Sequence, residues 1–191
     1  MDRRIERTLA NAREAAIDVL AKGGFAGFTM EAVADHARIA KSTLYRHWPD
    51  RMALLADALG TLNKQPRQSD PLKPNDLRAR LVELMTHLAS VFESSRIASV
   101  IPALVEAAAR HSQVAAFLHT YSANRRQTLV DLLREGIRLG ELPADFDSEL
   151  AALVMSGPIF YCHLMSPTPF PVAKVEELVD YVLGRVVAGA S

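Results

Sequence analysis

The side chains best suited to do chemistry in this chain stand in one short run, Lys41, Ser42 and Thr43. An ammonium followed by two hydroxyls supplies donors of the kind that reach phosphate oxygens and the edges of bases. The elements around them fit that use. Thr29 is a good N-cap, and Val33, Ala34 and Ala37 follow at helical spacing on one apolar face. After a break at Arg38-Ile39-Ala40 a second short helix opens with the three donors, while its Leu44 and Trp48, four apart, face back into the domain. Two short helices joined by a tight turn, the second leading with donors, make the helix-turn-helix that sets a recognition helix in the major groove of DNA.

The run GGFAGFTMEAVADHARIAKSTLYRHWPDRMALLADAL resembles the DNA-binding domain of the TetR family, the tetracycline-repressor-like bacterial transcriptional regulators. The resemblance covers roughly residues 5 to 60, and its strongest part is the Thr29 cap, the STLYRHW run and the basic residue Arg51. It implies that Thr29 meets a phosphate, that Lys41, Ser42 and Thr43 lie at base edges or nearby phosphates, and that Tyr45, His47 and Arg51 hold further phosphates. Two positions depart from the family pattern. Arg38 stands where a turn glycine is usual and Ala40 where a serine usually caps the recognition helix. An arginine at a glycine turn implies strain or a different turn, and the missing cap removes about 1 kcal/mol of helix stability. Neither change deletes a contact residue, and Arg38 adds a cation beside the DNA face.

Size and composition set the frame. A chain of 191 residues can bury a real core in one or two small domains. Hydrophobic residues make up 49%, and Ala and Leu outweigh glycine, which predicts an all-α fold. Net charge is zero, but residues 1–51 carry nine Lys and Arg against seven Asp and Glu, a net +2 balanced by −2 in the remainder. That asymmetry is mild, so affinity for DNA must rest on placed contacts and on pairing of two copies more than on bulk field. One cysteine, Cys162, leaves no internal disulfide and agrees with a reducing compartment. The N-terminus is interrupted by charges, and no apolar run approaches the roughly 18 residues of a membrane span. A cytoplasmic protein without a membrane segment is expected.

Along the chain, Ile5, Leu9, Ala12, Ala16 and Val19 or Leu20 mark one face of a first helix over residues 4–22, ended by Gly23-Gly24. Arg3, Arg4 and Arg7 fall at its start, where arginine opposes the helix dipole. Contact with a minor groove or phosphate, with Arg3 and Arg4 as the candidates, gives them a reason; a solvated terminus is the other reading. Pro49-Asp50 ends the recognition helix and caps the next, whose stripe is Met52, Leu55, Ala56 and Leu59. The proline-rich stretch NKQPRQSDPLKPN, residues 63–75, reads as a linker. The division expected is 1–50 for a three-helix DNA-binding domain, 51–75 for a connecting helix and linker, and 76–191 for a helical body, about nine helices in all.

In the body, Leu77 to Phe92, Ile97 to Ala109 and Val114 to Leu139 each repeat apolar residues at threes and fours, giving three helices. Asp147 caps a fourth that runs to about Met165, with Pro158 inside it, and a fifth runs from about Val172 through Val186. The last two carry wide apolar faces, more than a small core needs. The resemblance implies that they pair with those of a second copy, and that the body holds a small-molecule effector. Met85, Leu88, Phe92, Phe117, Tyr121, Met155 and Ile159 are the candidate ligand-binding residues, with Tyr121 as polar anchor. Few charges lie on those faces, so the expected effector is largely apolar and uncharged.

Other chemistry finds little footing. His87, His111, His119 and His163 beside Cys162 show no ligand spacing on one helix, so no metal is expected. No G-x-S-x-G, H-E-x-x-H or glycine-rich phosphate loop is present, which leaves an enzyme without machinery and implies no cofactor. The expectation is a homodimeric repressor that binds a palindromic DNA operator and is released by its effector. The alternative is a helical ligand- or partner-binding protein whose helix-turn-helix no longer reads DNA.

Overall fold

The computed structural model describes residues 3–62, 64, 72–73, 75–94, 96 and 98–184. Most of the 63–75 linker therefore lies outside the described residues, as do Ile97 and Val186. All regular structure among the described residues is helical. No single described helix is long and apolar enough to cross a membrane. The chain divides into two compact units, Met1–Lys64 with Ser95–His119 and Gln65–Ser94 with Thr120–Ser191.

The first unit opens with α1, Arg3–Gly27. Leu9, Ala12, Ala15, Ala16, Ile17 and Leu20 are buried on it, whereas Ile5, read as part of that face, is 42% exposed in the first turn. The helix breaks at Gly24, whose φ of 60° and ψ of −173° suit glycine alone, and a further turn carries the chain to Gly27. α2 (Met30–Ala37) and α3 (Lys41–His47) follow, then α4 (Arg51–Leu62), capped by Asp50 Oδ1 accepting from Ala53 N at 2.8 Å. On α4 the buried face is Met52, Leu54, Leu55, Ala58 and Leu59. Ala56, placed on that stripe from sequence, is exposed.

The same unit takes in the 3-10 turn Ala98–Val100, α6 (Ile101–Ala108) and the start of α7 (Ser112–Arg138). The turn and α6 pack on α1, with Val100, Ile101, Leu104 and Ala107 buried. The compact units therefore do not follow breaks at residues 50 and 75, because this apolar surface belongs to the N-terminal core.

In the second unit α5 (Leu77–Ser94) packs against α8 (Ser148–Met165) and α9 (Val175–Val182), and α8 against α9. The shared core holds Leu81, Leu84, Met85, Ala152, Met155, Ile159 and Val179. Arg78 fastens α5 to α9: its Nε donates to Asp180 Oδ1 at 2.7 Å, and Nη2 donates to Asp180 Oδ2 at 2.8 Å and Glu176 Oε2 at 3.0 Å. Gly140, at φ 75°, lies just past the end of α7, and Asp147 Oδ1 caps α8 by accepting from Leu150 N at 3.0 Å. α8 continues through Pro158. The last helix is shorter than its apolar pattern suggests. A 3-10 turn at Val172–Lys174 precedes it, and Gly184, at φ 69°, follows its end in the left-handed conformation that closes helices.

Candidate nucleic-acid interface

The reader is built by caps and by two buried anchors. Thr29 Oγ1 accepts from Ala32 N at 3.1 Å and starts α2. At its far end Arg38 adopts φ 54° and ψ 46°. Ile39 N donates to Ala34 O at 3.0 Å and Arg38 N to Asp35 O at 3.2 Å. This is the Schellman closure, with arginine where glycine is usual, so the turn keeps its geometry and carries the strain. Asn11 Nδ2 ties the turn to α1 by donating to Ala37 O at 2.8 Å. Ala40 then stands at the N-cap of α3 with no side-chain cap, as its methyl dictates.

Leu44, 0% exposed, and Trp48, 5%, root α3 in the core. The opposite side is open. Lys41, Ser42, Tyr45, Arg46 and His47 are exposed and Thr43 is half-buried. Tyr45 is half exposed despite its ring, and Lys41 Nζ lies 3.7 Å from Glu31 Oε1, a surface pair loose enough to exchange for a phosphate. The nine candidate contacts thus fall into three groups. Lys41, Ser42, Thr43, Tyr45 and His47 share the α3 segment, with Thr29 at the start of α2.

Arg51 is turned inward instead. Its Nη1 donates to Phe28 O at 2.9 Å and Phe25 O at 3.3 Å, and the guanidinium sits 4.1 Å from the Phe25 ring centroid. Two backbone carbonyls and a ring face already engage this cation. Sequence reasoning passed over Arg46, exposed on α3 beside Tyr45, although its charge was there to be read.

Arg3, Arg4 and Arg7 are exposed on the first turns of α1 itself. Arg4 and Arg7 line a cleft of about 480 Å³ together with Thr8, Asn11 and Arg38. The helical turn and the Schellman turn so bring three cations to one concavity beside the reader, a grouping that needs the fold to be seen.

In the second unit, Met85, Met155 and Ile159 are fully buried and Phe92 nearly so, with Leu88 and Tyr121 half-buried. Phe92 stacks edge-on against Phe160 at 4.8 Å and lies 4.6 Å from the His163 ring. Phe117, grouped with these from sequence, belongs to the first compact unit. The inner surface also carries the charge of Arg125, which falls on the apolar side of α7. Burial, against the opposing effect of Tyr121, holds the Arg125 guanidinium below its ordinary pKa, and its Cζ lies 5.8 Å from the Tyr121 ring centroid. Among the described residues no three His, Cys, Asp or Glu side chains converge as a metal site.

A helix-turn-helix rooted by Leu44 and Trp48 with its donors outward, joined to a helical second unit, defines the class of regulators that read DNA with one part and carry a separate helical body. Residues 13–58 match the family of bacterial regulatory proteins, tetR family, and residues 74–182 match the tetracyclin repressor-like C-terminal domain. The chain belongs to the TetR family of transcriptional regulators. The HTH-type transcriptional regulator YdeS of Bacillus subtilis (strain 168) is 30% identical over 169 residues, 86% of this chain and 82% of its own. The transcriptional repressor KstR of Mycobacterium tuberculosis is 45% identical over 47 residues, 25% of this chain and 21% of KstR. Among solved structures, the TetR family transcription regulator SCO0332 superposes with a TM-score of 0.68 at 27% identity, covering 94% of this chain and 98% of that one. The fatty acid degradation regulator FadR from Bacillus halodurans gives a TM-score of 0.74 at 19% identity over 91% and 97% of the two chains, a likeness of fold.

Proposed function

We propose that this regulator is a cytoplasmic repressor that binds a near-palindromic operator as a homodimer and leaves it when a small, mainly apolar effector binds the second unit. The observation that carries the reading is α3 itself: Lys41, Ser42, Tyr45, Arg46 and His47 exposed on a helix whose Leu44 is sealed in the core. Thr29, Lys41, Ser42, Thr43, Tyr45 and His47 are the proposed DNA contacts, with Arg3 and Arg4 reaching the backbone from α1. Arg51 supports the fold of the reader. The functional division proposed is a reader in 1–50, a connecting helix in 51–75 and an effector and pairing body in 76–191.

Pairing is supported by α8. Leu150, Leu153, Val154, Tyr161, Leu164 and Met165 recur at helical spacing and are all exposed, Tyr161 by 67% and Met165 by 74%. Gly157 lies on the same helix with open space around it. A stripe of this length asks for a partner surface, and a second copy supplies a self-complementary one. The repressor role is supported by KstR, a transcriptional repressor that resembles this chain over the reader alone. Effector action is a population shift: a ligand that prefers the state with wrongly spaced recognition helices lowers operator affinity by its preference, typically about 1–3 kcal/mol.

The test is selection of bound DNA from a random library, followed by polarisation titrations at several salt concentrations. A two-fold symmetric consensus, two chains per duplex and a steep fall of log K with log salt are expected. The uncapped Ala40 and strained Arg38 favour the second reading, a helix-turn-helix kept for its fold while the body binds a ligand or partner. That reading gains if the library yields no consensus.

A further inference from the structure

α5 and α7 come very close at one end, where a Cβ added to buried Gly136 would lie 2.5 Å from Cδ2 of Leu77. His87 stands ten residues further along α5, and Arg125 stands eleven residues back along α7. At about 1.5 Å of rise per residue these lie roughly 15 and 16 Å along their own helices from the close approach, and Arg125 is near enough for its charge to act on His87. His87 Nε2 is buried and has no hydrogen-bond partner. Burial first, and then the positive charge of Arg125, keep the imidazole below its ordinary pKa. Arg125 is itself partly desolvated, with its guanidinium 5.8 Å from the Tyr121 ring centroid.

A buried ring nitrogen without a partner, which donates in the Nε2–H tautomer, and a partly desolvated cation are both relieved by the same thing, a negative charge that accepts hydrogen bonds. A guanidinium has five N–H donors, so Arg125 can serve an incoming anion beside the contacts it already makes. Its planar fork matches a carboxylate, and a single cation balances a single charge. The rest of the interior of this unit, Met85, Phe92, Met155 and Ile159 among it, is apolar and in part adaptable.

We propose that the effector is an organic acid, a monocarboxylate with an apolar body, whose carboxylate is held by Arg125 and His87 between α5 and α7. The assignment rests on the effector-responsive reading and replaces its uncharged ligand with an anionic one. The purified full-length protein is titrated by calorimetry and thermal shift with octanoate, decanoate, phenylbutyrate and naphthylacetate, each beside its own primary amide. At least one acid is expected to bind about tenfold or more tightly than its amide, the scale of one charge-assisted pair. Arg125→Gln should erase that preference and Arg125→Lys should keep part of it. His87→Phe should weaken the acid and leave the amide unchanged.

The proposal is overturned if no acid outbinds its amide, or if folded Arg125→Gln retains the preference. Should Arg125→Gln fail to fold, His87→Phe decides, and equal affinity of this variant and the parent for the acid overturns it. Operator binding by the unliganded protein is titrated separately. Intact operator binding with no acid preference removes this inference alone, whereas loss of operator recognition removes the regulator reading whatever the acids do.

Discussion

Trp48 Nε1 donates a hydrogen bond of 2.9 Å to Oδ2 of Asp57. The same oxygen accepts from Arg13 Nε at 2.8 Å, and Oδ1 accepts the Thr61 hydroxyl at 3.1 Å. One carboxylate on α4 thus holds the end of the recognition helix and the middle of α1, which fixes the angle at which α3 leaves the core. Asp57→Ala should destabilise the protein by about 1–3 kcal/mol, because it leaves the Trp48 N–H and the Arg13 cation short of an acceptor. Burial alone would raise the Asp57 pKa, but the hydrogen bonds from Arg13 and Trp48, with the charge of Arg13, bring it below the ordinary value. A depressed carboxylate contributes its stability above the unfolded pKa of about 4 and loses it as pH falls through the folded value. The gap between the parent and Asp57→Ala in urea should therefore be full at neutral pH and shrink below about pH 4. A gap that stays constant with pH would mean that the carboxylate does not carry it.

Arg38 and Ala40 separate stability from recognition. Arg38→Gly removes a strained φ of 54°, a relief of about 1 kcal/mol or more that the extra freedom of glycine in the unfolded chain offsets by up to about 1 kcal/mol. The melting temperature should hold or rise slightly. The same change takes a cation from the cleft shared with Arg4 and Arg7, so operator affinity should fall and the salt slope should drop by about 1. Ala40→Ser should add about 1 kcal/mol by restoring a cap to α3. Unchanged salt dependence in Arg38→Gly would place that guanidinium off the DNA.

Local signals made the reader legible in sequence. The caps Thr29, Asp50 and Asp147 act within three residues of themselves, and Leu44 and Trp48 lie on one helical face, so all were read without the fold. Periodicity fixes a face only loosely: Ile5, in the first turn of α1, and Ala56, in the middle of α4, are exposed, while Leu54 and Ala58 are buried. The inward turn of Arg51 and the effect of the Arg125 charge on His87 depend on elements distant in the chain. Nothing in residue type separates an arginine that meets a phosphate from one that meets a carbonyl.

The exposed donors of α3 divide by what they can read. Lys41 and Thr43 stand in the first turn, where a recognition helix meets base edges, whereas Tyr45 and His47 lie further along. Lys41→Ala or Thr43→Ala should change the order of preference among operator variants by about 1–3 kcal/mol at the affected base pair. Tyr45→Phe and His47→Ala should weaken all variants alike, as lost phosphate contacts do. Competition titrations against a set of single-base operator variants distinguish the two, and equal losses on every DNA for all four substitutions would refute the division.

Arg51 is held differently from the exposed cations, and its geometry gives it a different fate on substitution. Its Nη1 serves the carbonyls of Phe28 and Phe25, and its guanidinium covers the Phe25 ring, so it joins the start of α4 to the last turn of α1 and the segment that follows it. Arg51→Ala leaves both carbonyls short of this donor and uncovers the ring, and should lower stability by about 1–3 kcal/mol. Arg51→Lys retains the charge but not the planar fork, so it should recover only part of the loss. Because neither variant removes a phosphate contact, the salt slope of operator binding, measured well below the melting temperature, should match the parent. A variant that melts like the parent but loses about one unit of salt slope would return Arg51 to the DNA face.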